Sequence, residues 1–270
     1  MSIRKTAVAG QFYPSNPDEI KRVFDHYNQI LDEHLSDKRV LDKKPRAIIV
    51  PHAGYVYSAF TANAAFRLLE KTDAKRVVII GPSHRVYLNG TSVSDYDQYE
   101  TPFGMLQIDK NLVDILKNQF GLSFVPDAHH EHSTEVQMPF VKRYDKEASV
   151  VELVYGDEDP ARLAKMIGYL LGDPHTVVVI STDLSHYYDI HKANRLDSIC
   201  LKAVENLNTD LLHQGCEACG KIGIEAMLIV AKEKNLKPIL LDYRTSADAS
   251  MDKSQVVGYM SAAFVAKEPK

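Results

Sequence analysis

The chain of 270 residues contains no tryptophan, three cysteines, and no apolar run near the ~18 residues that a membrane-spanning helix needs. Its charge is equally unspecialised: 32 Lys and Arg against 36 Asp and Glu give −4, with no basic stretch to neutralise a line of phosphates. Nucleic acid and anionic membrane are therefore poor partners. The segment 1–11 lacks the apolar centre of a secretory signal, so a cytoplasmic location is expected. Cys200, Cys216 and Cys219 are odd in number, and Cys216-Glu217-Ala218-Cys219 is a lone CxxC. Such a pair serves as a redox couple or as half of a zinc site, but a tetrahedral zinc needs four ligands and no second pair is present. Internal repeats and low-complexity tracts are absent as well. At this length a chain buries about three quarters of its unfolded surface, so any metal is free to serve chemistry rather than hold the fold together.

The composition that remains is globular, with 45% apolar and 25% charged residues. Short β-branched runs at 47–50, 77–80, 150–154, 177–180, 239–241 and 256–265 read as strands covered on both faces. Helical patterns lie between them at 18–35 (with Pro17 at its start), 60–71, 110–119, 161–171, 193–207 and 223–234. This alternation predicts a single α/β domain over residues 1–270, built on a mostly parallel, mixed central sheet flanked by helices.

Histidine is the one residue in excess, with 11, and most of them sit in short polar clusters. Three clusters directly follow strands: Pro51-His52-Ala53-Gly54-Tyr55, Gly81-Pro82-Ser83-His84, and Ser181-Thr182-Asp183-Leu184-Ser185-His186-Tyr187. In open α/β sheets ligands bind beyond the carboxyl ends of the strands, so three histidines delivered there point to one crevice. A fourth cluster, His129-His130-Glu131-His132-Ser133-Thr134-Glu135, is not HExxH, because His130 has no histidine four residues on. His132 and Glu135 share a helix face if a helix begins near Ser133; helix capping is the alternative role for this polar stretch. Imidazoles with a carboxylate suit Fe(II), Mn(II) or Zn(II), and ligand type alone does not choose among them.

Read in order, five segments resemble the signatures of the Memo family. They are Val8-Ala9-Gly10-Gln11-Phe12-Tyr13-Pro14, Pro51-His52-Ala53-Gly54-Tyr55-Val56-Tyr57-Ser58, Gly81-Pro82-Ser83-His84, Glu131-His132-Ser133-Thr134-Glu135-Val136-Gln137-Met138-Pro139-Phe140, and Ser181-Thr182-Asp183-Leu184-Ser185-His186-Tyr187. The likeness runs on to Val256-Val257-Gly258-Tyr259 and so spans almost the whole chain. Bacterial and archaeal members belong to a set called AmmeMemoRadiSam, which implies a functional link to AMMECR-type and radical SAM proteins. The Memo fold is similar to that of the class III extradiol (LigB-type) dioxygenases, which use non-haem Fe(II) and O₂. By that resemblance His52 and His84 are metal ligands, and His186 is an acid/base or a further metal contact. Asp183 lies beside it, either orienting the His186 ring or ligating. Animal members carry a cysteine before the final strand where the dioxygenases have a glutamate. This chain has Tyr243-Arg244-Thr245-Ser246-Ala247-Asp248-Ala249 there, and alignment puts either Asp248 or Ala249 at that place. Asp248 is the expected third ligand, completing a facial triad of two histidines and one acid.

The resemblance implies an Fe(II) enzyme, with zinc, manganese or copper as alternative metals, acting with O₂ on a small aromatic substrate. His132, Glu135, Asp183 and His186 are the candidate catalytic groups. Tyr55 either bonds substrate or packs, Tyr187 is expected to pack, and Cys219, of the Cys219-Gly220 pair, lines the pocket if Gly220 is not simply serving a turn. Gln11-Phe12-Tyr13-Pro14 covers an edge of either the pocket or the core. Two other readings keep the same pocket: a zinc hydrolase with Glu135 or Asp183 as base, and a non-catalytic protein binding a phosphotyrosine-type peptide.

Overall fold

The computed structural model describes residues 1–34 and 37–267. Its strands are β1 Ile3–Arg4, β2 Pro45–Val50, β3 Arg76–Pro82, β4 Thr91–Val93, β5 Gln98–Thr101, β6 Gly104–Gln107, β7 Ser149–Tyr155, β8 Thr176–Ser181, β9 His186–Tyr188, β10 Leu236–Thr245 and β11 Val256–Ala266. Its α-helices are α1 Pro17–His34, α2 Tyr55–Phe66, α3 Lys110–Phe120, α4 His132–Glu135, α5 Met138–Tyr144, α6 Pro160–Leu170, α7 Ile190–Glu205, α8 Thr209–Leu212, α9 Lys221–Glu233 and α10 Ala247–Ser250.

The main sheet runs in the order β10-β11-β2-β8-β3-β7-β4, with β9 added against β11. Four adjacent strands, β2, β8, β3 and β7, are parallel, and antiparallel strands close both sides. The sheet is thus mixed, as the β-branched runs imply, with its parallel part confined to the centre. Those central strands are the continuous apolar ones: Val77 to Ile80 and Val177 to Ile180 are all buried. A strand covered by helices on both faces cannot alternate polar and apolar residues. Since β8 lies between β2 and β3, the carboxyl ends of three neighbouring strands carry the His52, Asp183 and His84 segments.

Several element boundaries differ from the periodicity. The expected helix over 60–71 starts at Tyr55, directly after Gly54, and tightens into a 3-10 turn over Arg67–Lys71. Its first turn exposes the apolar Val56 and the aromatic Tyr57, and the residues from Ser58 on are buried all round, so no amphipathic stripe marks its start. Asp189 caps α7 by accepting from His191 and Lys192 N–H, which moves that helix start ahead of 193. The strand expected over 239–241 is the ten-residue β10. Leu35, the expected end of α1, lies outside the described residues. A second, three-stranded sheet of order β1-β5-β6 went unforeseen, since two of its strands are paired across about a hundred residues of sequence.

Cys200 in α7 forms a disulfide with Cys216, so the CxxC is not a redox couple between its own two cysteines. Cys219 is the free cysteine. Among the described residues, no helix is long and apolar enough to cross a membrane.

Candidate metal centre

Two close packings bring the histidines together. At the end of β8, the Asp183 Oδ1 accepts the backbone N–H of His52 at 2.7 Å, tying the loop after β2 to that strand. At the end of β3, Gly81 leaves no room for a side chain: a Cβ there would stand 2.6 Å from Ser133 Oγ and 2.9 Å from Thr134 Cγ2. Helix α4 therefore rests on the β3 backbone, with Ser133 Oγ donating to the Pro82 carbonyl at 2.8 Å. His132 is carried against His84, their ring centroids 4.6 Å apart, and His52 lies 5.1 Å from His84 and 5.4 Å from His132. One ligand atom from each of the three comes within 4.8 Å of the others.

The hydrogen bonds assign the proton on each ring. Ser181 Oγ has a single proton, which it donates to the Ser133 carbonyl. It can therefore only accept from His52 Nδ1, 3.0 Å away, which puts the ring proton on Nδ1 and leaves a lone pair on Nε2. Glu131 Oε1 accepts from His84 Nδ1 at 3.1 Å and from His132 Nδ1 at 2.8 Å. The carboxylate has no proton to give, so both of these rings also present a bare Nε2. Three bare nitrogens facing one space repel unless a cation sits among them. Imidazoles whose second nitrogen is held by an acceptor are the usual arrangement of metal ligands. The residues present therefore fit a metal ion with three nitrogen ligands. The side chains of His84 and His132 are 31% and 17% exposed, so the centre is reachable from solvent.

The electrostatics agree with this proton assignment. Burial first, then the neighbouring His84 and His132, pull His52 well below the ordinary imidazole range, so it is neutral. Burial tends to raise Glu131, but the bonds from His132, His84 and the His84 backbone N–H outweigh it and hold the carboxyl far below its ordinary range. Glu131 is the site residue that sequence reasoning missed. Adjacent residues do not face each other along a helix, but Glu131 is the N-cap of α4, its side chain accepting from Ser133 N–H, and this non-helical position turns it towards both rings. The capping role expected for this stretch and the metal role are thus filled by one carboxylate.

The other expected site residues divide. His186 lies in β9, close enough to His84 for the two to interact, and burial lowers its pKa. Asp183 touches the centre through His52, its Oδ2 3.9 Å from His52 Nε2, and burial pushes its carboxyl up to about 7. Its carboxylate accepts from the backbone N–H groups of His52 and Ala53, so it orients the His52 loop rather than the His186 ring. The acid acting on His186 is Asp197, which accepts from Ser185 N–H at 2.9 Å and from Tyr243 Oη at 2.7 Å. Cys219 Sγ is 3.3 Å from His52 Nε2, and burial pushes its thiol up to about 12. Phe12 packs its ring on His132, which sets the Gln11-Phe12 segment over the centre.

Three candidates stand elsewhere. Glu135 is buried and accepts from Arg4 Nη1, Ala7 N, Val8 N and Tyr13 Oη, so this carboxylate anchors the amino-terminal segment. Tyr55 packs among Tyr13, Phe24 and Phe140 and donates to the Val136 carbonyl at 2.7 Å, the packing alternative for this residue. Asp248 is exposed, and its Oδ2 accepts from Thr245 N–H at 2.8 Å, a local bond apart from the three rings. Tyr187, expected to pack, is instead 72% exposed at φ 63, a backbone region that side chains other than glycine seldom adopt.

The chain is similar to known proteins over nearly its whole length. The chain is 35% identical to a MEMO1 family protein of Aquifex aeolicus over 98% of this chain and the whole of that protein. It is 32% identical to a MEMO1 family protein of Archaeoglobus fulgidus, over 97% of this chain and 99% of the other. With one of Thermotoga petrophila it shares 34% identity over 96% and 98% of the two chains. The family model described as Memo-like protein matches residues 4–263, and the chain belongs to that family.

Proposed function

We propose that the protein is a metal-dependent enzyme whose ion is held by His52, His84 and His132. The observation that carries this reading is the convergence of His52, His84 and His132, one ligand nitrogen of each within 4.8 Å of the others, with an oxygen acceptor beside every Nδ1. The favoured ion is Fe(II), and the favoured reaction is an O₂-dependent, dioxygenase-like oxidation of a small aromatic substrate. Bound there, iron would supply open positions for substrate and O₂. His186, kept neutral by burial, takes the proton of the substrate hydroxyl, and Asp197 stabilises the imidazolium so formed. Phe12 shields one side of His132 from water.

A second reading follows from the ligand set itself. Three histidines without a carboxylate also match catalytic zinc, which activates a water for hydrolysis. Metal analysis after anaerobic purification, followed by O₂ uptake on a panel of catechols and hydroxy-aromatics, decides between them. The iron reading expects stoichiometric iron and substrate-dependent O₂ uptake that is lost in His84→Ala. Stoichiometric zinc with hydrolytic turnover would overturn it in favour of the hydrolase.

A further inference from the structure

We propose that Tyr187 and Tyr259 form the seat of an aromatic substrate beside the metal centre, Tyr187 stacking on its ring and Tyr259 donating a hydrogen bond to one of its oxygens. This rests on the metal-centre reading above and deepens it by naming what holds the substrate.

Tyr187 is placed by the backbone. Val256 and Val257 are consecutive in β11, yet they pair with Tyr188 and His186, so Tyr187 is the extra residue of a β-bulge. Bulges beside active sites re-aim side chains. This one holds Tyr187 at φ 63, where a bulky residue is strained, and leaves it 72% exposed. A ring that stays mostly in water gains little from burial to offset that strain. Strained residues of this kind persist only where the surrounding structure imposes them, and they gather at ligand clamps. Here the neighbours in β9 impose it: His186 is half-buried, and Tyr188 packs with Ala193, Ala247 and Val256. The Tyr187 ring stands edge-on to that of His186, centroids 5.7 Å apart, so it borders the group that takes the substrate proton.

Tyr259 supplies the second side. The Gly258 carbonyl accepts from Leu184 N–H at 2.8 Å, and Gly258 N–H donates to the Ser185 carbonyl at 3.0 Å, joining β11 to the segment between Asp183 and His186. This joint needs glycine, since a Cβ there would stand 2.0 Å from Asp197 Oδ2. Tyr259 follows and is 2% exposed, yet among the described residues no hydrogen-bond partner meets its hydroxyl, and that oxygen is not sealed from solvent. A buried phenol usually has a partner. The titratable groups whose fields reach it are Asp183, Tyr57 and Tyr187, and burial together with Asp183 keeps the proton on the oxygen. Tyr259 is thus a donor without an acceptor, on the side of the centre where Asp183 Oδ2 lies 3.9 Å from His52 Nε2.

Anaerobic titration of the Fe(II)-loaded chain with nitrocatechol, read by its visible absorbance, tests the seat, with bound metal measured in every variant. We expect Tyr187→Ala and Tyr259→Phe to bind this probe about 10-fold more weakly while holding one ion per chain. Tyr187→Phe, which keeps the ring, should match the wild type. Tyr187→Gly should lose probe affinity like Tyr187→Ala but unfold at a higher urea concentration, because glycine adopts this φ without strain. Wild-type affinity in Tyr187→Ala or Tyr259→Phe at full metal content would overturn the seat and leave the three-histidine centre standing. So would a metal-loaded wild type that does not bind the probe. A lower urea midpoint in Tyr187→Gly, or failure of Tyr187→Ala to fold, would give the ring a structural role and overturn the seat as well. No ion bound by the wild type would overturn both the centre and the seat.

Discussion

His129 and His132 stand three residues apart, and each places Nδ1 against a buried glutamate, yet they do opposite work. His129 Nδ1 is 2.6 Å from Glu152, and its Nε2 is 2.8 Å from Ser92 Oγ, with all three residues sealed in the core. Burial pushes Glu152 up to about 8 and His129 down to about 3, so both are neutral near pH 7. The acid proton is then donated to Nδ1, Nε2–H goes to Ser92, and Ser92 Oγ donates to the Ser123 carbonyl. Every donor has a home, and nothing is left to bind a ligand. Around His132 the glutamate is ionised and stands 2.8 Å from Nδ1, which leaves Nε2 without the proton, and the ring lies beside those of His52 and His84. A histidine–glutamate contact alone therefore does not mark a ligand. What marks one is the state of the far nitrogen, and that depends on how many donors surround the carboxylate.

The largest expected effect breaks the sealed pair. His129→Ala leaves Glu152 and Ser92 buried without their partner, and we expect a stability loss of about 3 kcal/mol. Urea denaturation measures it, and the folded variant should still bind one ion per chain. A loss of metal instead would mean that the two pairs are one functional unit.

Glu131→Gln attacks the other member of the comparison. The amide places a donor or a weaker acceptor against His84 N–H and the two Nδ1–H groups, so metal affinity should fall about 10- to 100-fold. Isothermal titration reads this, and unchanged affinity would remove Glu131 from the centre.

A smaller effect separates the two glutamates by pH. Native Glu152 keeps its proton up to about 8, whereas the unfolded chain loses it near the ordinary value of 4.5. The native state thus binds more protons in that window, and this contribution to stability declines as pH rises through it. Glu152→Gln mimics the protonated acid and does not titrate, so its melting temperature should fall less than that of the wild type from about pH 6 to about pH 9. Parallel decline in the two proteins would place the negative charge on Glu152. The smallest effect is expected for Asp248→Ala, whose metal affinity should match the wild type, because that carboxylate serves Thr245. A clear drop in affinity would return Asp248 to the ligand set.

Much of the fold was legible from sequence because the central strands are continuous β-branched runs and each ends in a distinctive polar motif. His52 and His84 could be placed for the same reason: strand ends in an α/β sheet converge on one edge. The third candidate ligand was harder to place because it depends on loop conformation. Asp248 has the right chemistry, but a short Asp side chain bonds readily to backbone a few residues away, here to Thr245. His132 reaches the centre through Gly81, a contact between segments about fifty residues apart that no periodicity records. Glu135 resembles a free base in sequence, and only the fold brings Arg4 and Tyr13 onto it.

The most direct test of the central claim is the metal stoichiometry of His132→Ala beside His129→Ala, measured after anaerobic loading and desalting. The account predicts that His132→Ala loses tight binding while His129→Ala, once folded, keeps one ion per chain. Wild-type stoichiometry and affinity in His132→Ala would contradict it.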